Sequence, residues 1–256
     1  MSTSAHFPPL IAKSISGKTQ VVALIGADTQ NSLSPFIHNF LASKLGHDMV
    51  YTTFDVAPSN LQTAIDGAYA LGIKGLNITA PHKGNALKGT SAVNLLKYTP
   101  QGYKGYNTDI YGIEKALVHC GGNGLESAVI LGDGGASKAA VIALENMGCK
   151  NITILSRKMG NLHTLKGLKG CLFIQATSAT PDVLLQIAPP NVLEGFDAIF
   201  DMNYPKQNPW LQAMDNLAIF NGIAMLVFQA VKGYEILWDV KVPQPLIDHL
   251  LEVLCE

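Results

Sequence analysis

The sequence predicts an α/β fold of two domains, because strand-like and helix-like segments alternate along most of the chain. Short apolar runs of strand length recur, and stretches with helical periodicity separate them. Strands are predicted at residues 21–26, 49–56, 72–79, 127–132, 151–155, 171–177 and 197–202. Helices are predicted at residues 35–45, 59–71, 136–147 and 209–217. This alternation is typical of parallel βα units.

A glycine-rich segment at residues 119–127 predicts the boundary between the two domains. The helical pattern before it, residues 109–120, is interpreted as a connecting helix. The long apolar helix predicted at residues 222–238 is expected to return to the first domain. The predicted limits are residues 1–118 completed by 223–256 for the first domain, and residues 119–222 for the second.

The composition favours a small-molecule partner over a polymer or a membrane. Hydrophobic residues make up 48% of the 256 residues and charged residues 14%, which is ample apolar material for packed cores. Eighteen basic and nineteen acidic residues leave a net charge of −1, so no strong field attracts nucleic acid or an anionic membrane.

Targeting and cysteine patterns point to a cytoplasmic protein. No apolar run reaches the roughly 18 residues of a membrane span, and the first residues lack the pattern of a signal peptide. The four cysteines are scattered without a CxxC pair, so neither a metal site nor a disulfide framework is expected.

A glycine loop opens the second domain. Residues 127–148 form a predicted strand, a tight turn with Gly132, Gly134 and Gly135, and a helix that begins near Ala136. In this context the loop predicts a dinucleotide whose pyrophosphate lies at the helix N-terminus. An ordinary βα turn remains the alternative.

The end of the next strand indicates which dinucleotide is bound. Units that bind NAD place an acidic residue there for the ribose hydroxyls, whereas this chain has Ser156, Arg157 and Lys158. Two cations suit a 2′-phosphate, so NADP is predicted, with a solvated basic turn as the alternative. Asp133, inside the glycine loop, is expected to lie near the pyrophosphate and to weaken NADP binding.

Two hydroxyls precede the first helix. Ser34, followed by Pro35, is predicted to be the N-cap, and Ser32 lies just before it. Hydroxyls beside the amides of a helix N-terminus suit a carboxylate, although a plain capped helix is the alternative. His38, one turn later, is predicted to be packed or to support a site residue rather than to be catalytic.

Polar residues follow the strands of the first domain. Amide and hydroxyl side chains at strand ends suit a polyol, since an amide both donates and accepts hydrogen bonds. A lysine with an aspartate can hold a carbonyl oxygen and pass it a proton. The residues concerned are Asn77, Thr79, Lys83, Asn94, Asn107 and Asp109. Asparagines that only cap turns are the alternative.

In order along the chain, these motifs resemble the shikimate dehydrogenase family. The matching segments are Ser32-Leu-Ser34-Pro35, His38-Asn39, Asn77-Ile-Thr79-Ala-Pro81-His-Lys83, Ala92-Val93-Asn94, Gly105-Tyr106-Asn107-Thr108-Asp109, Gly132-Asp-Gly134-Gly135-Ala136, Ser156-Arg157-Lys158, Asp201-Met-Asn-Tyr204-Pro205 and Met225-Leu226-Val-Phe-Gln229.

The resemblance implies an N-terminal α/β substrate domain, a Rossmann-like doubly wound NADP-binding domain, and C-terminal helices that return to the first domain. It implies an NADP-dependent oxidoreductase that acts on a CH–OH group and reversibly reduces 3-dehydroshikimate to shikimate, on the route to chorismate and aromatic amino acids. A monomer or homodimer is expected.

The resemblance also implies roles for individual residues. The catalytic residues would be Lys83 and Asp109. The substrate-binding residues would be Ser32, Ser34, Asn77, Thr79, Asn94, Asp109, Tyr204 and Gln229. The cofactor-binding residues would be Gly132, Gly134, Gly135, Ala136, Ser156, Arg157, Lys158 and Met202.

The chain departs from the family pattern at several places, including residues 175–182, which lack a glycine that the pattern has and follow Arg157 after a short stretch. Only ten residues separate Lys83 from Asn94, fewer than the pattern has, and Asp133 replaces a small neutral residue. Two alternatives therefore remain: a quinate/shikimate-type relative with altered substrate or cofactor range, and a catalytically weak sensor that binds the cofactor.

Overall fold

The computed structural model describes residues 14–83, 86, 93–204, 208–214 and 217–255, which fold into two compact units. Of these residues, the first unit holds 14–83, 86, 93–106 and 233–246. The second unit holds 107–204, 208–214, 217–232 and 247–255. Each unit is built around its own five-stranded sheet.

The sheet of the first unit is mixed. Its strands are β1 (Gln20–Gly26), β2 (Met49–Asp55), β3 (Gly75–Ile78), β4 (Leu95–Thr99) and β5 (Gly102–Tyr106). They lie in the order β2-β1-β3-β4-β5. The first three are parallel, whereas β4 and β5 form an antiparallel hairpin against β3.

Helices α1 (Ser34–Leu45) and α2 (Leu61–Ala70) follow β1 and β2, and a 3₁₀ turn at Pro58–Asn60 leads into α2. The buried side chains of α2 are Leu61, Ile65 and Ala68, which are four and three residues apart and so share one helix face. That face packs on apolar side chains of β1 and β3, including Ile25 and Leu76. The burial of this stripe holds α2 against the sheet.

The sheet of the second unit is wholly parallel. Its strands are β6 (Ser127–Leu131), β7 (Asn151–Leu155), β8 (Gly170–Gln175), β9 (Phe196–Asp201) and β10 (Ala218–Phe220). They lie in the order β10-β9-β8-β6-β7. The chain runs from β6 outward to β7 and then returns to β8 on the other side of β6. In doubly wound sheets, ligands bind at the carboxyl ends of strands where the order reverses in this way.

Helices connect the strands of the second unit. They are α3 (Asp109–His119), α4 (Gly135–Asn146), α5 (Pro181–Ile187), α6 (Pro190–Leu193) and α7 (Pro209–Gln212), with a 3₁₀ turn at Leu162–Gly167. Two further helices, α8 (Ile223–Trp238) and α9 (Gln244–Cys255), each contribute residues to both units. Within the described ranges, no helix has both the length and the apolar character needed to cross a membrane.

The predicted α/β class is confirmed, and every predicted strand is present within a few residues of its expected limits. The helices predicted at 109–120 and 222–238 are α3 and α8. The helix predicted at 209–217 is wrong in length, because α7 ends at Gln212. The β4–β5 hairpin and β10 were not expected. The domain limits drawn from the sequence stay a prediction.

Candidate active site

In the first unit, the carboxyl ends of β1 and β3 meet at one edge of the sheet because the two strands are parallel neighbours. The loop after β3 is tied to β1, since the Thr79 amide donates a hydrogen bond to Ile25 O at 2.9 Å. His82 is buried, and its Nε2 lies 2.8 Å from Val56 O. The two contacts bracket the loop, which ends at the partly buried Lys83.

Asn77 is the penultimate residue of β3 and is buried. Its Oδ1 accepts a hydrogen bond from Tyr51 Oη at 2.9 Å, and its Nδ2 donates one to Asn94 O at 3.3 Å. An amide has a second donor hydrogen and a second lone pair, so it can still bind a hydroxyl. An added Cβ at Gly233 would lie 4.0 Å from Nδ2, so the backbone of α8 closely approaches this amide.

Tyr51, on β2, orients Asn77 and is itself held from two sides. The Asn39 side chain accepts a hydrogen bond from Tyr51 N at 2.9 Å and donates one to Tyr51 O at 3.0 Å. The His38 ring stacks on the Tyr51 ring with centroids 4.3 Å apart. Burial lowers the pKa of His38 to about 3, so its imidazole is neutral near pH 7. The prediction that His38 is packed is thus confirmed.

The two serines before α1 are arranged differently from the prediction. Helix α1 begins at Ser34, and Leu33 occupies the N-cap position, so the expected cap at Ser34 is wrong by one residue. The Ser32 hydroxyl accepts a hydrogen bond from the Ser34 amide at 3.2 Å. It therefore satisfies one amide at the start of α1, and its own hydrogen can still be donated to an anion.

In the second unit, the glycine loop between β6 and α4 has two distinct glycines. Gly132 has a φ of +127°, and an added Cβ would lie 2.8 Å from Ala176 O. Gly134 has a φ of −81°, and an added Cβ would meet nothing within 4 Å. Ser137 Oγ, in the first turn of α4, is buried and has no hydrogen-bond partner among the described residues. The loop is a backbone cradle at a helix N-terminus.

The turn after β7 carries two exposed cations, Arg157 and Lys158. Asn161 fixes this turn, because its Oδ1 accepts from Ser156 N at 2.9 Å and its Nδ2 donates to Ile154 O at 2.9 Å. The Ser156 hydroxyl accepts from Met159 N at 3.1 Å. Arg157 is the only arginine in the sequence.

Asp109 and Gln229 also belong to the second unit. Asp109 is buried at the start of α3, where its backbone amide donates to Asn107 Oδ1 at 3.0 Å. The hydroxyl of its neighbour Thr108 donates to Gln229 Oε1 on α8 at 3.3 Å. An added Cβ at Gly112 would lie 2.8 Å from Gln229 Cβ, so a glycine permits this close packing of α3 on α8.

Strand β9 ends at Asp201, which is fully buried and precedes the turn with Met202 and Tyr204. Burial raises the pKa of its carboxyl group, while hydrogen bonds from Asn203 and Asn208 oppose that shift. Met202 N donates to Gln175 O at 3.0 Å. Burial also raises the pKa of the Tyr204 phenol, which keeps the hydroxyl protonated. The carboxylate therefore organises the turn that carries Met202 and Tyr204.

Comparison with known proteins identifies the family. Residues 24–96 match the family model described as the shikimate dehydrogenase substrate binding domain. The NADP(+) shikimate dehydrogenase of Methanothermobacter thermautotrophicus is 32% identical over 267 residues, which cover 90% of this chain and 94% of that protein. The chain belongs to the shikimate dehydrogenase family.

Solved structures of the family share the fold. Shikimate dehydrogenase 1 from Peptoclostridium difficile is 26% identical, with a TM-score of 0.82 over 93% of this chain and 98% of its own. A shikimate dehydrogenase solved in complex with NADP+ is 27% identical, with a TM-score of 0.74 over 95% of this chain and 98% of its own. The predicted two-domain α/β architecture of the family is thus confirmed.

The structure groups the sequence-predicted residues by unit. Those at the sheet edge of the first unit are Ser32, Ser34, Asn77, Thr79, Lys83 and Asn94. Those of the second unit are Asp109, Gly132, Gly134, Gly135, Ala136, Ser156, Arg157, Lys158, Met202, Tyr204 and Gln229. The motif residues Ala92 and Pro205 lie outside the described residues, as does most of the short 84–93 segment.

Three residues that support the site were not identified from the sequence: Tyr51, Asn161 and Ser137. Tyr51 lies 26 residues from the amide that it orients, and no spacing rule connects the two. Asn161 follows the basic turn within five residues of Ser156, a distance at which asparagine side chains commonly bind turn backbone. Local turn chemistry could therefore have identified Asn161, but not Tyr51.

Proposed function

We propose that the protein is an NADP-dependent shikimate dehydrogenase that reversibly reduces 3-dehydroshikimate to shikimate, in the route to chorismate and aromatic amino acids. The observation that carries the proposal is family membership over 90% of the chain, with the motif residues Lys83 and Asp109 both present. The proposal extends to this chain the activity for which its relatives are named.

The glycine loop fits the pyrophosphate of a dinucleotide. At Gly134 the loop offers open space for a phosphate to approach the backbone, and the N-terminus of α4 offers amides to an anion. The buried Ser137 hydroxyl beside the loop supplies a further donor. Arg157 and Lys158 are proposed to hold the 2′-phosphate, and Met202 is proposed to border the nicotinamide end. When bound, NADPH supplies the hydride for the substrate carbonyl carbon.

The first unit is proposed to hold the substrate acid. Ser32 and Ser34 would donate to its carboxylate beside the N-terminus of α1, where the helix dipole favours an anion. Asn77, oriented by Tyr51, would bind a ring hydroxyl with its remaining donor and acceptor. The other residues proposed to bind hydroxyls are Thr79, Asn94, Asp109, Tyr204 and Gln229.

Lys83 and Asp109 are proposed to handle the proton. As hydride reaches the carbonyl carbon, negative charge develops on the carbonyl oxygen. The Lys83 ammonium would stabilise that charge and donate its proton to the oxygen, and the Asp109 carboxylate would accept a hydrogen bond from the resulting hydroxyl. The two residues belong to different units, so their pairing rests on the family pattern and on this chemistry.

One assay tests the proposal. The purified protein is mixed with shikimate or quinate and with NADP or NAD, and reduced nicotinamide is followed by its absorbance. We expect turnover with shikimate and NADP. Turnover with quinate instead would favour the relative with altered substrate range. No turnover on either acid, together with dinucleotide binding in a calorimetric titration, would favour the sensor and contradict the proposed activity.

The proposal includes a cytoplasmic enzyme that acts as a monomer or homodimer. The scattered cysteines support a reducing cytoplasm, and the near-zero net charge supports a small-molecule substrate over a polyanion. Light scattering of the purified protein would give its oligomeric state.

A further inference from the structure

Asp133 connects the glycine loop to the basic turn. It lies between Gly132 and Gly134, and its side chain is exposed. Its Oδ2 accepts a hydrogen bond from Ser156 Oγ at 3.2 Å. Ser156 is the first residue after β7 and is buried. The carboxylate is therefore held at the end of β7. From the sequence it was expected beside the pyrophosphate.

The partner of this carboxylate is itself fixed. Ser156 is held through its amide by Asn161 and through its oxygen by Met159 N. Since that oxygen accepts from Met159 N, its one hydrogen is donated to Asp133. Only one of the carboxylate's two oxygens is used in this bond, so the other can accept a hydrogen bond from a ligand.

In parallel sheets of this type, the residues at the end of the second strand distinguish NAD from NADP. An acidic residue there accepts hydrogen bonds from the ribose hydroxyls of NAD, whereas an arginine there binds the 2′-phosphate of NADP. This chain has both groups at one place. The strand end supplies Arg157, and the glycine loop supplies the carboxylate of Asp133.

We propose that Asp133 sets the cofactor specificity of the enzyme by recognising the adenosine ribose. Its carboxylate accepts a hydrogen bond from the 2′-hydroxyl of NAD and repels the 2′-phosphate of NADP, which Arg157 and Lys158 attract. The enzyme therefore uses both dinucleotides, with a smaller preference for NADP than the basic turn alone would produce. This inference rests on the proposed function, because it assumes that the glycine loop binds a dinucleotide.

Two other roles for Asp133 make different predictions. A carboxylate that repelled the pyrophosphate would weaken NAD and NADP equally, because both contain the same pyrophosphate. A carboxylate that only anchored the basic turn through Ser156 would tolerate an asparagine, whose Oδ1 can accept the same hydrogen bond. Only recognition of the ribose changes the two affinities in opposite directions.

The test measures dissociation constants for NADP and NAD by calorimetric titration without substrate, in the wild type and in Asp133→Asn. We expect the constant for NADP to fall about five-fold and that for NAD to rise about two-fold, since the variant removes a charge but keeps an acceptor. The effect on NADP should shrink at high salt. Asp197→Asn is the matched control, because that exposed carboxylate lies at the amino end of β9, whereas Asp133 follows the carboxyl end of β6.

The outcomes separate this inference from the proposed function. A NADP-to-NAD preference that rises about ten-fold in Asp133→Asn and is unchanged in Asp197→Asn supports the inference. Equal changes for both dinucleotides, or no change, overturn it and leave the proposed function standing. A wild-type protein that binds neither dinucleotide contradicts both.

Discussion

At the scale of single residues, Lys83 has the most demanding proposed role. A positioned proton donor is worth roughly 10²–10⁴-fold in turnover, so Lys83→Ala should lower kcat by about that factor. Substrate affinity should change much less, because the serines and Asn77 remain. Steady-state kinetics with shikimate and NADP measure both quantities. The control is Lys104→Ala, which removes an exposed lysine from β5. Near wild-type turnover in Lys83→Ala would refute the proposed role of Lys83.

Arg157 allows a second test, because the chain has no other arginine. Removal of a guanidinium that pairs with the 2′-phosphate should weaken NADP by about 1.5–3 kcal/mol and leave NAD nearly unchanged. The measurement is the dissociation constant of each dinucleotide for Arg157→Ala, with Lys150→Ala as a surface control.

Chemical modification checks the same role without a substitution. An arginine-selective dicarbonyl reagent can modify only Arg157, and bound NADP should protect it better than bound NAD does. Equal losses of affinity for both dinucleotides, together with equal protection, would make Arg157 a structural residue.

Much of the candidate site follows from local sequence, because its residues come in short motifs at strand ends. Ser32, Lys83 and Arg157 are examples: each is recognised from its immediate neighbours. Tyr51 shows where this reasoning stops. Its bond to Asn77 depends on β2, β1 and β3 lying side by side in that order, and no local pattern specifies the order. The roles of all these residues stay predictions until the variants are measured.

At the scale of elements, the β4–β5 hairpin shows why some strands were missed. Only Leu95 and Leu96 of β4 are fully buried, and β5 has no buried residue. The hairpin therefore lacks the apolar alternation that reveals a strand. β1 and β6 instead carry continuous apolar runs that are buried along most of each strand, and both were predicted.

The glycine loop yields a prediction that separates folding from binding. Gly132 has a positive φ and backbone contacts that exclude a side chain, so Gly132→Ala should lower the free energy of unfolding by about 1–3 kcal/mol. Gly134 has an ordinary φ and open space, so Gly134→Ala should cost less stability than Gly132→Ala, through its N-cap position alone. Its new methyl group would instead block the approach of the pyrophosphate.

Denaturant titration and NADP titration of the two variants check this prediction. Gly134→Ala should weaken NADP binding about ten-fold, the loss expected when hydrogen bonds to a charged group are displaced. A Gly134→Ala variant destabilised as much as Gly132→Ala would contradict the open space seen at that position. An equally stable Gly132→Ala would show that the loop can relax around a side chain.

At the scale of the whole molecule, the sequence predicted the fold class because the βα alternation and the glycine loop are properties of the entire chain. The division of the chain into two units was harder to predict from the sequence. α8 contributes residues 223–232 to the second unit and 233–238 to the first, although it is one unbroken apolar pattern. Periodicity reports that a helix forms but does not report which core each of its turns joins.

Acid stability is the remaining prediction, and it concerns the whole first unit. Burial lowers the pKa of His38 from 6.5 to about 3, and its Nδ1 has no hydrogen-bond partner among the described atoms. The unfolded chain takes up a proton on this residue below about pH 6.5, whereas the folded unit does not until about pH 3. The stability due to the neutral imidazole is therefore present above pH 6.5 and is lost as the pH falls.

Between about pH 6 and pH 4 this linkage should lower the free energy of unfolding by about 1.4 kcal/mol per pH unit. The sequence has two tryptophans, Trp210 in the second unit and Trp238 in the first. Urea titrations in a Trp210→Phe background therefore leave Trp238 as the reporter of the unit that contains His38.

His38→Leu should flatten the pH dependence by that amount even if it lowers the stability at pH 7, because it removes the group that titrates. His163→Leu, which removes an exposed imidazole, serves as the control. Identical slopes with and without His38 would mean that the folded unit accommodates the charged imidazole, and the burial argument would fail.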